Sequence, residues 1–387
     1  QRRLLGNGLL TNENESWLQQ RRLAQPAFHR ERIAGYGEII AADTERMLAT
    51  WEDGEVRDVH SELQRLAVGI VAKTLFGADM HDRAEQLGVA LEAAMQVYAN
   101  RRGLARFIPD WAPLPSHLRY RRGVRDLDAT IADIIHARRA RDEDTSDLLS
   151  MLLRARDEDG NAMNDAQLRD EAVTLFVGGF DTPALGLSWA WYLLAQNREA
   201  REEIAKEVDS VLQGRAPRAG DLPRLQYTEM VVKEAMRLYP PAWLLSREAV
   251  RDTEIGGYAI PAGTVVMMSQ WVMHRDPRYF EEPNEFLPQR WSRKGAATEL
   301  PRFAYFPFGG GPRVCIGASF AMMEAVLVLA TVAQQFEFTL ASQSPIVPWP
   351  TMTLRPRGGL QAVLTRRQHS PQAIAAHAEE SRSGAAC

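Results

Sequence analysis

The sequence predicts a single, mainly helical domain carrying a few small β-sheets. Three observations carry that expectation. Helical periodicity runs through most of the chain, strand signals are short and confined to the second half, and neither an internal repeat nor a composition shift marks a linker. The 387 residues are 45% apolar and 25% charged, enough to bury a large core. Lys+Arg 46 against Asp+Glu 50 gives a net charge of -4, which argues against a nucleic-acid partner. Two cysteines exclude a disulfide framework and any multi-cysteine zinc or iron–sulfur site. A mean hydropathy of -0.30 excludes a polytopic membrane protein.

The chain opens at Gln1 without a basic-then-apolar leader, and GNGLL (residues 6–10) reads as a loop ahead of a helix. A further N-terminal portion is expected to precede it. Residues 31–51 form a helix with Ile33, Ile39, Ile40, Met47 and Leu48 on one face. A second helix covers 56–76 and ends at the C-cap Gly77. The Pro-rich stretch 108–115 is a loop, followed by amphipathic helices over 119–141 and 146–156. The run RRARDED from Arg138 is a solvated helix end. Residues 172–195 are the most apolar segment and long enough to span a bilayer. Gly178, Gly179, Asp181, Thr182 and Pro183 sit in its middle, and an acid at bilayer centre is costly, so a long buried helix is preferred. Strands are expected at 254–260, 264–269, 336–340 and 359–365. The polar, Ala/Ser-rich tail 366–387 is expected to be disordered, leaving one domain over residues 1–365.

Cys315 stands in FPFGGGPRVCIGASFAMMEAVLVLA, after three glycines and before an apolar helix. A helix N-terminus lowers a thiol pKa, and Gly309, Gly310 and Gly311 let backbone approach the sulfur. Arg313 can pair an anion on the same side, and Phe308 can shield it. A thiolate held against a metal, a buried structural cysteine and a catalytic thiol all remain open at this point, although none of the eight histidines shows a partner motif for a thiol nucleophile.

The run Phe308-x-x-Gly311-x-Arg313-x-Cys315-x-Gly317 resembles the haem-binding signature of the cytochrome P-450 superfamily. The resemblance implies the cytochrome P-450 fold, with haem b between the long central helix and the helix after the cysteine loop. It makes the Cys315 thiolate the axial iron ligand, a ligation that in this family pushes electron density toward the iron and favours O–O cleavage. Other segments agree in order and position. EAMR places Glu234 and Arg237 three apart on one helix face, and FLPQRW supplies Arg290 as third member of a structural charge cluster, with Gln289 where the family more often has Glu. GGFDTP resembles the oxygen-activation motif, so that Gly178 and Gly179 admit the porphyrin and O2 while Asp181 and Thr182 serve proton delivery. Pro183 departs from the commoner Thr or Ser and removes the N–H that would bond the Gly179 carbonyl. SWLQQRRLAQPAF resembles the third helix of the family, implying that Trp17 and Arg21 bind one haem propionate, with Arg247 placed for the other. His29 and His274 read as packing residues.

The implied activity is insertion of one atom of O2 into a hydrophobic substrate, by hydroxylation or epoxidation. Leu175, Gly178, Gly179, Leu244, Leu245 and the Trp349–Thr351 turn are the implied pocket. No flavin or dinucleotide motif is seen, so electrons are expected from a ferredoxin and its reductase, docking near Arg22, Arg302 and Arg313. A haem-thiolate sensor without turnover is disfavoured by the Asp181–Thr182 pair, as is a peroxide-driven peroxygenase, a subgroup that usually replaces that pair. A cytoplasmic, bacterial-type soluble enzyme is expected, with an N-terminal anchor left open.

Overall fold

Caps and glycines partition the first half of the chain into helices. The computed structural model describes residues 2–77, 114–141, 147–156, 160–292, 295–342 and 344–368. After a single turn, α1 (Arg2–Leu5), comes α2 (Asn14–Ala24). The helix expected over 31–51 is two, α3 (Arg30–Ala34) and α4 (Gly37–Leu48), broken at Gly35 and Tyr36. The helix expected from Val56 starts later. Val56–Asp58 is strand β1, and α5 (Val59–Phe76) follows, capped by the Asp58 carboxylate accepting the His60 N–H at 3.2 Å. Gly77, at φ +88, ends it and donates to the Lys73 carbonyl at 2.9 Å.

Pro115, expected in a loop, is the first residue of α6 (Pro115–Arg141), where its missing N–H costs nothing. The rest of the 108–115 loop, apart from Leu114, lies outside the described residues, as does Ser146. The next helix is shorter than expected, α7 (Leu148–Arg154), because Asp147 caps it by accepting the Ser150 N–H at 2.8 Å. The central helix α8 (Asp165–Gln196) begins with an Asn164/Gln167 capping box and runs unbroken through Pro183. Then come α9 (Arg198–Leu212) and α10 (Gln226–Leu238).

Among the described residues, four small antiparallel sheets complete the order. Strands β2 (Leu245–Glu248) and β5 (Val265–Met268) pair. The segment expected as one strand at 254–260 is a hairpin, β3 (Thr253–Ile255) and β4 (Tyr258–Ile260), turning on Gly256 and Gly257, both at positive φ. A short helix α11 (Gln270–Met273) follows β5, and α12 (Ala318–Gln335) follows the cysteine loop. Strands β7 (Pro348–Pro350) and β8 (Leu354–Pro356) pair with each other. The last strand, β9 (Gln361–Arg366), lies between β1 and β6 (Phe336–Leu340), with Val363 opposite both Val56 and Thr339. The tail therefore begins later than expected. Arg366 is in β9, and Arg367 pairs with Asp209 at 2.7 Å and donates its N–H to the Gln335 carbonyl at 2.8 Å. Residues beyond 368 lie outside the described part.

The core forms where α5, α10 and α12 pack around α8. Trp189, Phe176 and Phe336 are fully buried, each contributing roughly 1.5–3 kcal/mol of transfer free energy. Thus the apolar segment that could span a bilayer lies inside the protein. Among the described residues α12 is the helix apolar and long enough to cross a membrane, and 67% of it is buried here.

Candidate functional site

A helix through the middle of a core should be buried on every side, and α8 nearly is. From Ala172 to Leu194, the positions that are not buried are Leu175, Gly178, Gly179, Thr182 and Gly186. Their spacing is that of one face of an α-helix, so they form one accessible stripe. Gly178 is its most open point, and a Cβ there would meet nothing within 4 Å. A Cβ on Gly179 would lie 2.6 Å from Val71 Cγ2, so this glycine lets α5 close on α8. Thr182 Oγ1 donates to the Gly178 carbonyl at 2.8 Å, one turn back.

Asp181 follows a different direction from its neighbour. Its carboxylate is buried, paired with Arg355 Nη2 at 2.5 Å and hydrogen-bonded by Thr353 Oγ1 at 3.0 Å. Burial raises its pKa, opposed by the Arg355 guanidinium and by hydrogen bonds from Thr353, Arg355 and Gln64. The acid and the hydroxyl expected to act together are thus held by separate partners.

The cysteine loop is closed by the Cys315 N–H donating to the Phe308 carbonyl at 2.9 Å. Gly309 and Gly311 have φ of +74 and +70, which side-chain-bearing residues rarely adopt. The Cys315 thiol is free and exposed at the surface of the site, yet desolvation by the surrounding loop raises its pKa. This corrects the expectation of a thiol lowered by a helix terminus. The helix α12 begins three residues later, at Ala318, so a Gly317 hydrogen bond and the Arg21 charge are what oppose that rise.

Three guanidinium groups surround this loop, and none of them forms an ion pair with a carboxylate among the described residues. Arg21 donates to the Val314 carbonyl at 3.0 Å, and Arg313 lies 4.3 Å from the centre of the buried Trp17 ring. Arg247, exposed on β2, donates at 2.8 Å to the carbonyl of Ser246. Burial lowers the Arg313 pKa, and the like charge of Arg247 lowers it further. Leu245, beside it, puts Cδ1 3.4 Å from where a Cβ on Gly309 would lie. Leu244, Leu245 and Phe308 are half-buried, and Phe308 packs against the core. Trp349 lies on β7, next to the turn whose Thr351 carbonyl accepts the Trp243 indole N–H at 3.0 Å.

Behind the loop, Arg237 and Glu234 are fully buried and joined by two hydrogen bonds, at 2.9 and 2.8 Å. Arg290 Nε adds a third contact to Glu234 at 3.0 Å, and the Trp291 indole a fourth at 2.8 Å. The remaining Arg237 donors reach the carbonyls of His274, Pro283 and Glu285. Every donor is satisfied, as a buried charge requires. His274 ties this cluster to the loop, since its Nε2 accepts the Phe306 N–H at 2.9 Å. Burial, reinforced by Arg237, pushes its pKa down to about 3, which keeps the acceptor nitrogen unprotonated.

Sequence reasoning missed Arg355, Thr353 and this role of His274. The isolated histidine in MHRDP carried only a packing signal, and Arg355 meets Asp181 from 174 residues away. Glu171, one turn before Leu175, was also missed. It is fully buried, and its Oε2 accepts the Leu9 N–H at 3.2 Å while Oε1 has no partner among the described residues.

No group of three or more His, Cys, Asp or Glu able to hold a metal exists among the described residues. One soft donor, a stripe of small residues that leaves space beside a core helix, and three unneutralised guanidinium groups fit an iron porphyrin with two carboxylates.

Comparisons agree with that fit. The family model for Cytochrome P450 matches residues 1–362. Cyclooctatin synthase of Streptomyces melanosporofaciens is 40% identical, over 91% of this chain and 77% of that enzyme. Cyclooctat-9-en-7-ol 5-monooxygenase of the same organism is 36% identical over 87% and 73%, and pentalenene oxygenase of Streptomyces avermitilis is 34% identical over 95% and 81%. The solved structure of a retinoic acid-bound cyanobacterial enzyme, CYP120A1, superposes with a TM-score of 0.85 at 28% identity, covering 94% of this chain and 82% of the other. Motif, fold and relatives converge, and the chain belongs to the cytochrome P450 family, as a haem-containing monooxygenase of hydrophobic substrates.

Proposed function

We propose that this enzyme hydroxylates a polycyclic terpenoid, using haem b and electrons from a ferredoxin and its reductase. The observation that carries the reading is the accessible stripe of α8, where Leu175, Gly178 and Gly179 offer a small, apolar floor inside the core. The terpenoid class is supported by the names of the relatives, two of them acting in cyclooctatin chemistry and one on pentalenene.

Bound haem would supply the activation of O2 and the insertion of one oxygen atom into a C–H bond. The residues of the chain hold, orient and protonate. Cys315 would hold the iron through its sulfur, with Phe308 and Gly317 shaping the loop around it. Arg21, Arg247, Arg313 and Trp17 receive the propionates, charge against charge. Gly178, with open space where a Cβ would lie, would leave room for the haem beside the helix. Leu175, Gly179, Leu244, Leu245 and Trp349 exclude water and orient the substrate. Thr182 presents a hydroxyl on the accessible stripe, and Asp181 is the nearby acid from which protons are replenished. Glu234, Arg237 and Arg290 keep the loop in place. One unit reaching at least to Arg367 carries these roles, in a cytoplasmic setting.

The test is turnover of the haem-loaded enzyme with a terpenoid panel, reduced ferredoxin and 18O2. A hydroxylated product carrying one labelled atom is expected, and reductant consumption without labelled product from any member would contradict the reading. Thr182→Ala should keep consuming reductant while product per electron falls by on the order of a hundredfold, the lower end for loss of a proton-transfer group.

A further inference from the structure

Asp181 is only 1% exposed, so its proton supply depends on the groups that enclose it. Those groups come from two sides. From the segment entering β8, Thr353 Oγ1 donates to Oδ2 at 3.0 Å, and from β8 itself Arg355 Nη2 donates to Oδ1 at 2.5 Å. Arg355 Nε also donates to Thr353 Oγ1 at 3.3 Å, so the three side chains close a triangle. From α5 the Gln64 side chain adds a hydrogen bond. His60, also on α5, is the nearby titratable group, and its Nδ1 lies 2.9 Å from Ser188 Oγ of α8. Burial and then the Arg355 charge push His60 down to about 4, so it adds no charge at neutral pH. Beyond it, Asp58 is occupied with the N–H groups of His60 and Leu360. Among the described residues, Arg355 is therefore the one permanent cation paired with Asp181. Its side chain is 21% exposed, against 2% for the carboxylate, so it links the buried acid to the surface at the β7–β8 end.

We propose that Arg355, assisted by Thr353, is a positioning residue for the oxygen-activating acid: it fixes the Asp181 carboxylate in its buried seat and holds it in the charged form. Without it, a carboxyl buried to this degree would take up a proton and lose its orientation. The consequence for turnover rests on the monooxygenase reading above; the anchoring of Asp181 does not.

Arg355→Met and Arg355→Lys, made in the haem-loaded full chain, test the assignment. The first readout is infrared absorption of 13C-aspartate protein, with the Asp181 signal identified by its loss in Asp181→Asn. At pH 7 the wild type should show Asp181 as carboxylate, Arg355→Met should show it as protonated acid, and Arg355→Lys should restore the carboxylate. The second is coupling. Arg355→Met should lower product per electron about tenfold, with the acid limb of its pH profile moved upward by at least about one unit, while substrate affinity by spin-state titration stays within about twofold. A folded Arg355→Met protein whose Asp181 remains ionised would overturn the proposal, as would a coupling loss that Lys does not rescue. Should Arg355→Met fail to fold, Thr353→Val removes one donor and should move both readouts in the same direction by less; no movement in that variant would overturn the proposal equally. If the infrared result holds and the wild type makes no product, the monooxygenase reading falls and the positioning role stands.

Discussion

Glu171 shows how one side chain can make the stability of the whole chain depend on pH. Its pKa rises from 4.5 to about 7, first through burial and then through Asp170, against the Leu9 hydrogen bond. The folded protein therefore keeps a proton that the unfolded chain releases between those two values. Stability should fall as pH rises from about 4.5 to about 7 and then level off, by on the order of 3 kcal/mol. Glu171→Gln removes this dependence, so its urea midpoint should exceed the wild-type midpoint at pH 8 and roughly match it at pH 5. An equal difference at both values would contradict the assignment. At this scale the sequence was legible where partners are close along the chain. Glu234 and Arg237 share a helix face, and Cys315 lies within its own glycine loop. Arg355 was invisible beside Asp181 because the chain brings them together across 174 residues, and nothing local in TLRP marks an ion pair.

Elements carry the second set of expectations. Along α8, two adjacent glycines should behave oppositely. Gly178→Ala places a methyl in open space, so the helix gains about 1 kcal/mol of propensity, while spectral affinity for substrate falls. Gly179→Ala drives a Cβ to 2.6 Å from Val71 Cγ2, and overpacking of about 1–3 kcal/mol should outweigh the same gain. Denaturant midpoints of the two haem-free variants check this, and the reverse order would contradict the packing account. In α10, Arg237→Ala removes two of the hydrogen bonds to the buried Glu234 and leaves Arg290 as its one cation among the described residues, at a cost of up to about 3–5 kcal/mol, and haem per chain should drop with it. Normal haem content in a folded variant would remove the scaffold role. Long periodic helices such as α5, α8 and α12 were readable because a core helix declares itself over many turns. Strands β7 and β8 were not, since Pro348, Pro350 and Pro356 are strand-demoting residues tolerated here in a two-stranded ribbon. Strand β1 was read as the start of α5 because three residues carry no period of their own, and it exists only by pairing with β9.

At the scale of the molecule, what the sequence conveyed was an order of motifs; what it could not convey was the geometry in which distant segments meet around the cysteine loop. Arg21, Arg247, Arg313 and Cys315 come from α2, β2 and a single loop, yet Arg21 acts electrostatically on Cys315 and Arg247 on Arg313. The proposed function rests on that convergence: a free thiol on the cysteine loop, guanidinium groups from α2, β2 and the loop itself, and an accessible, small-residue face on the core helix. The central claim is that Cys315 binds the haem iron through sulfur. It is tested most directly by the visible spectrum of the haem-loaded protein after reduction and exposure to carbon monoxide. The wild type should show the strongly red-shifted Soret band of a thiolate-ligated ferrous–CO complex, and Cys315→Ser should lose it. A band at the ordinary position of nitrogen-ligated haem in the wild type, or a red-shifted band that survives in Cys315→Ser, would contradict the account.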